Sequence, residues 1–265
     1  MKKLLAARLW KDRQVDAVWR TLEGAGETGD PTRFHPGLVE DLPEPARRYL
    51  LHAIEPGTPL ATRVRLTMPG SIRLSRDGDP LPMRSEEILV PERGYVWRAR
   101  VGRGLMRIRG HDLLLDGEAE MRWWLWGLVP VARASGPDVS RSALGRLLAE
   151  SIFLPSRLLP SRGARWEAVD DSTARVRLGA QGEEAVLTLR IGPDGSLQRM
   201  SLPRWNSDPK NGPIEHVPFG SDELREERTF GGYTIPTRFR GGWRLGEDDE
   251  FAFFFGHITE ARYGR

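Results

Sequence analysis

Cysteine is absent from all 265 residues, which removes disulfides, thiolate metal sites and a cysteine nucleophile together. Lysine is scarce too: of 40 basic residues only Lys2, Lys3, Lys11 and Lys210 are lysines, and the rest are arginines. These arginines alternate along extended segments rather than gather on one helix, and 37 acidic residues leave a net charge of +3. The continuous basic face that nucleic acid requires is therefore missing. No apolar run reaches the roughly 20 residues of a spanning helix, since the longest candidate, 123–132, is too short. The opening Met1-Lys2-Lys3-Leu4-Leu5-Ala6-Ala7-Arg8 starts like a signal peptide, but its apolar run ends after four residues, below the roughly 7–15 of an export signal. A cytoplasmic protein is expected.

What is present is material for a core: 39% hydrophobic residues, with nine Trp and nine Phe. Apolar Val15, Val18, Trp19 and Leu22 fall at helical spacing before Gly24, which predicts a first helix. Gly24 to Pro36 reads as a linker. A second helix begins near Pro43-Glu44-Pro45, with Leu42, Ala46, Tyr49, Leu50 and Ala53 on one face, and ends at Pro56-Gly57.

From Leu60 the period becomes two, with Thr62, Val64, Leu66 and Met68 opposite Arg63, Arg65 and Thr67. Strands are predicted at 71–75, 83–90, 95–101, 105–109, 113–115 and 118–128, parted by turns such as Asp77-Gly78 and Asp116-Gly117. A helix over 138–153, with Leu144, Leu147, Leu148 and Ile152 as its stripe, interrupts them. A second strand series follows, at 165–169, 174–178, 184–191, 197–202, 224–230, 234–245 and 251–263, with Asp194-Gly195 as a hairpin turn. Pro203 to Gly220 reads as a long irregular loop. Spacings this short favour hairpins over parallel crossovers. The expected fold is mainly β with helices (α+β), a large curved antiparallel sheet or half-barrel covered by a few helices. It forms a single domain over 1–265, with 1–57 a helical segment packed on the sheet and 60–265 the sheet with its inserted helix.

The chemical motifs do not survive their context. Gly24-Ala25-Gly26-Glu27-Thr28-Gly29 has the G-x-G-x-x-G spacing of a dinucleotide site, yet it follows a helix instead of a strand. His35, His52, His111, His216 and His257 lack ligand spacing, and no G-x-S-x-G elbow occurs. Glu247-Asp248-Asp249-Glu250 is a solvated hairpin tip, because consecutive side chains of an extended segment point apart. No metal and no cofactor is expected.

The run Leu42-Pro43-Glu44-Pro45-Ala46-Arg47-Arg48-Tyr49-Leu50, then Gly94-Tyr95-Val96-Trp97-Arg98-Ala99, Ser135-Gly136-Pro137-Asp138, Arg141-Ser142-Ala143-Leu144-Gly145-Arg146 and Gly231-Gly232-Tyr233-Thr234-Ile235-Pro236 resemble a bacterial family built on a domain of unknown function (DUF6544/DUF6920-like). More distantly, the order of strands, one covering helix and strands again is similar to the curved sheet of lipoprotein carriers. That likeness implies an architecture.

The aromatic pattern points to binding. In a strand, Trp124 and Trp126 share one face while Trp123 and Leu125 share the other, so both faces must be covered or one must line a cavity. Core packing and cavity lining both satisfy this. Trp97 beside Arg98, and Trp243 near Arg240 and Arg244, offer rings next to guanidinium groups. Arg146 and Glu150, four apart on the covering helix, form an ion pair or reach a polar head group. The function expected is non-catalytic binding of a hydrophobic or amphiphilic, lipid-like small molecule, through Trp97, Arg98, Trp124, Trp126, Arg146, Glu150 and Trp243. Alternatives are a hydrolase-like enzyme in the same cavity, using a residue such as His111, Glu120 or His216, and a scaffold or homo-oligomer.

Overall fold

The alternation that begins near Leu60 becomes a continuous antiparallel meander. In this computed structural model, which describes residues 2–25, 32–209 and 212–265 with side chains from Arg13 onward, six strands each pair with the next. They are β1 (Arg63–Ile72), β2 (Leu81–Val90), β3 (Gly94–Val101), β4 (Ile108–Leu115), β5 (Glu118–Leu125) and β6 (Val129–Ser135). A second meander runs through β7 (Arg165–Ala168), β8 (Thr173–Ala180), β9 (Glu183–Ile191), β10 (Leu197–Trp205), β11 (His216–Phe230), β12 (Tyr233–Trp243) and β13 (Phe251–His257). Pairing of β1 with β13 joins them into one open 14-stranded sheet that also includes β14 (Glu260–Gly264).

The seam between the meanders is short. β1 gives Arg63–Thr67 to β14 and only Gly70–Ile72 to β13. The chain bends between those two partners at Ile258 and Thr259, whose amides donate to the carbonyls of Thr237 and Thr67. Gly70 sits opposite Gly256 because the backbones nearly touch: a Cβ on Gly70 would lie 2.1 Å from the Phe255 carbonyl oxygen.

Alternation sorts the side chains onto two faces. The inner face carries Val64, Leu66, Met68, Tyr95, Trp97, Leu187, Leu189 and Ile235, and makes the main core with two helices, α2 (Glu44–Ala53) and α3 (Pro137–Ala149). Each such buried aliphatic contributes about 1.5–3 kcal/mol. Helix α3 buries Leu144, Leu147 and Leu148, then continues in short 3-10 turns through Arg162 that bury Ile152, Phe153, Leu158 and Leu159. It touches β3 to β6 of the first meander and β8 to β10 of the second, so the sheet curves around it. On the outer face, helix α1 (Lys2–Gly24) sets Val15, Trp19 and Leu22 against Ile88, Val90 and Val96. Both faces of β2 and β3 are therefore covered, and Ile88-Leu89-Val90 is buried without alternation.

Several expectations are corrected. The predicted loop 203–220 is mostly strand: Pro203 opposes Pro218 and Trp205 opposes His216, leaving 206–215 as the connection. The predicted strand 118–128 breaks after Leu125, at a three-residue connection to β6 that opens with Trp126 and Gly127 at φ of 50° and 68° and in which the Leu128 amide donates to the Leu125 carbonyl. Segments 105–109 and 113–115 are not separate strands, since β4 runs from Ile108 to Leu115. Of the Gly24–Gly29 motif and the predicted linker Gly24–Pro36, residues 26–31 lie outside the described residues. Among the described residues no helix is long and apolar enough to cross a membrane.

Candidate functional site

Strand alternation and α3 together enclose a cavity of about 300 Å³ between the helix and the inner face. The first meander contributes Met68, Ile72, Glu87, Trp97, Asp112 and Met121. The second contributes Met200, Arg204, Phe219, Phe239, Gly241, Trp243, Phe253 and Phe254, and α3 with its extension adds Ser142, Arg146, Glu150, Ile152 and Phe153. Its rings pack edge-on or tilted: Trp97 lies 5.9 Å from Phe254, Phe153 5.1 Å from Phe239, and Phe219 5.0 Å from Trp243.

One end of this apolar chamber is charged. Arg146 projects from α3 and engages three carboxylates at once: Nη2 meets Glu87 at 2.8 Å, Nε meets Glu150 at 2.7 Å and Nη1 meets Asp112 at 3.4 Å. Its guanidinium also lies over the Tyr95 and Trp97 rings, at 4.7 and 5.1 Å. Burial by itself lowers the Arg146 pKa, but the carboxylates of Glu150 and Glu87 more than offset it and raise it well above the ordinary arginine value. Burial pushes Glu87 well above the ordinary glutamate value, and the neighbouring Glu150 charge adds to that. Asp112 is likewise raised by burial, although it accepts a hydrogen bond from Trp123 Nε1 at 3.0 Å.

Arg204 has a different setting. It donates to the Ser142 carbonyl at 3.0 Å and to Ser142 Oγ at 3.3 Å, and stacks over Phe219 and Trp243. Burial, helped by Arg146, lowers its pKa to about 10; it therefore remains charged at neutral pH. The donor Trp97 Nε1 of this lining is buried without a hydrogen-bond partner among the described residues, whereas Glu150 shares a side-chain hydrogen bond with Glu87. An unmet donor of this kind costs about 1–3 kcal/mol unless something else supplies the bond.

Of the residues singled out from sequence, the structure brings Trp97, Arg146, Glu150 and Trp243 together on this cavity. Arg98 and Trp124 lie on the outer face, where Arg98 pairs with Glu86 at 2.9 Å and Asp16 at 3.2 Å. Trp126 is at the β5–β6 hairpin tip, 54% exposed. His111 and Glu120, 3.6 Å apart, are on the outer face too, and His216 packs against Trp205. Glu87, Asp112 and Arg204 were missed. Their signal was a charged residue in the apolar register of a strand: Glu87 follows Met83 and Ser85 and precedes Leu89, while Arg204 follows Met200 and Leu202.

An open antiparallel sheet curved around a single crossing helix, with a partly apolar chamber between them, defines the class. The chain belongs to the DUF6544 family, a family of unknown function, whose profile matches residues 32–256. No curated protein matches it. Solved structures similar to it include a LolA superfamily protein from Nitrosomonas europaea, 10% identical, covering 83% of this chain and 92% of that one at a TM-score of 0.44. A domain assigned to outer membrane lipoprotein sorting from Vibrio parahaemolyticus is 9% identical, covering 76% and 85% at 0.42. A DUF1329 family protein from Desulfovibrio piger is 12% identical, covering 77% and 86% at 0.41.

Proposed function

We propose that the protein binds an amphiphilic, lipid-like small molecule in the cavity between α3 and the inner face, without chemistry. The observation that carries this reading is the pairing of an aromatic chamber with an unpartnered buried donor, Trp97 Nε1. Apolar burial supplies the driving force, at about 25 cal/mol per Å² before association costs. The volume of about 300 Å³ is at the small end of the range for ligand pockets.

The sequence led to the expectation that Arg146 and Glu150 would form an ion pair or reach a polar head group. Arg146 is occupied by three carboxylates, and the wall charge favours an uncharged head. Such a head accepts hydrogen bonds from Trp97 Nε1 and Arg204, as an ester or an amide does. A cytoplasmic location belongs to the same reading, and cell fractionation tests it.

Native mass spectrometry with solvent extraction, on protein purified without detergent, is the test. A stoichiometric bound amphiphile is expected. Replacing Gly241, whose added Cβ would meet nothing closer than Phe254 Cβ at 3.7 Å, by leucine fills the chamber and abolishes uptake while the fold persists. An empty wild-type protein that also takes up no hydrophobic probe sinks the reading. A second reading, hydrolysis in the same cavity, draws on Glu87, whose raised pKa suits a general acid; release of two fragments from a supplied ester would favour it.

A further inference from the structure

Across the outer face of the first meander, Arg84 on β2 stands directly opposite Arg100 on β3, Arg100 opposite Arg109 on β4, and Arg109 opposite Trp124 on β5. Like charges in register destabilise a sheet. The described carboxylates on this face do not relieve Arg84 and Arg100, because Glu86 and Asp16 are taken by Arg98, and Glu120 pairs with Arg122. Among the described residues, Arg84, Arg100, Arg103 and Arg107 meet no carboxylate, and all four are exposed.

The row borders an apolar corner. Of the ten exposed large hydrophobic residues described, six lie in two neighbouring turns: Leu105 and Met106 between β3 and β4, and Trp126, Leu128, Val129 and Val131 at the β5–β6 hairpin. Leu105 is 88% exposed. The two turns are fastened together, since the Trp126 amide donates to the Arg107 carbonyl and Trp126 Nε1 to the Leu105 carbonyl, both at 2.7 Å. Arg109 ties the corner to the row, for its Nε lies 2.6 Å from where a Cβ on Gly127 would stand. Trp126 itself occupies a turn position, φ 50°, that asparagine or glycine fills at lower cost. The Nε1 bond to the Leu105 carbonyl is what tryptophan adds to the fold there, and the strain of that φ offsets it.

We infer that this corner docks the protein onto an anionic phospholipid bilayer: the turns enter the head-group boundary and the arginine row faces the lipid phosphates. Charge complementarity selects this occupant, because the exposed guanidinium groups of Arg84, Arg100, Arg103 and Arg107 behind exposed tryptophan and aliphatic side chains match a negative surface over an apolar layer. The inference is independent of what the inner cavity binds.

Flotation of the full chain with phosphatidylcholine vesicles, with and without phosphatidylglycerol, tests it. The protein is expected to float with the phosphatidylglycerol vesicles alone, and to be weakened near about 1 M salt, where the screening length is about 3 Å. Arg84→Gln with Arg100→Gln lowers partitioning about thirty-fold. Trp126→Asn also lowers it, with the thermal midpoint kept or raised, which separates docking from folding. Arg175→Gln with Arg177→Gln, on the exposed side of β8, leaves flotation unchanged. Equal flotation with both vesicle types, flotation indifferent to the Arg84 and Arg100 changes, or none at all, as an acidic protein partner would give, overturns the inference.

Discussion

Arg146 shows how a single side chain can be both indispensable and energetically unfavourable in isolation. It is desolvated between α3 and the sheet, and only the convergence of Glu87, Asp112 and Glu150 makes that tolerable. Arg146→Met leaves the three acids without their cation, and is expected to cost about 3–5 kcal/mol, read as a lower urea midpoint with an unchanged slope. Glu87 carries the opposite liability. Its pKa is raised in the folded state, chiefly by burial and then by Glu150, so the native protein binds that proton more tightly than the unfolded chain. Its contribution to stability is complete below the ordinary glutamate value and is lost as pH rises through the folded value. Glu87→Gln keeps the shape of the protonated acid, so the variant should exceed wild type in thermal midpoint at alkaline pH and lose that advantage on acidification. A residual slope from Asp112, which is raised in the same direction, is expected to remain.

At the scale of elements, the meanders and the covering helix were legible because they obey periods. Val64, Leu66 and Met68 alternate with arginines and land on the inner face, and Leu144, Leu147 and Leu148 all become buried. What was not legible depends on contacts distant in sequence. A tryptophan before glycine carries no turn signature, so Trp126-Gly127 read as a continuing strand, whereas cross-strand pairing of β5 with β6 forces the turn. Prolines at 203 and 218 read as loop, yet they face each other across β10 and β11, where the ladder tolerates them. Trp97, Arg146, Glu150 and Trp243 were found as ring–charge neighbours; Glu87 and Arg204 stayed hidden because an acid or base in an apolar register identifies a buried cluster only once its partner strand is known. The β5–β6 turn supplies its own test. Gly127 has φ 68°, with Arg109 packed where a side chain would go, so Gly127→Val should destabilise by more than about 1 kcal/mol. Trp126→Asn at the preceding position should not. If both variants melted alike, the turn would not be the constraint assigned here.

Over the whole molecule, the two meanders share little backbone. Three residue pairs between β1 and β13 join them directly, and α3 spans the gap by touching strands of both. The cavity lies where these three bodies meet, with walls from β1 to β5, from β10 to β13 and from α3. A molecule seated there contacts both halves of the sheet and the helix at once, so it should act as a further tie between them. Binding only the folded form adds RT ln(1 + [L]/Kd), about 2.7 kcal/mol at a hundredfold excess over Kd, or roughly 5–10 °C in melting midpoint for a chain this long. Amide exchange should slow together in β1 to β4 and β10 to β13, because the bound molecule opposes opening at the seam and not merely at its contacts. Gly241→Leu should show the slowed exchange without any addition, since the leucine occupies the chamber, and should gain nothing from the amphiphile. Protection confined to one meander would mean that the ligand rests on one wall, and that the seam and α3 alone hold the halves together.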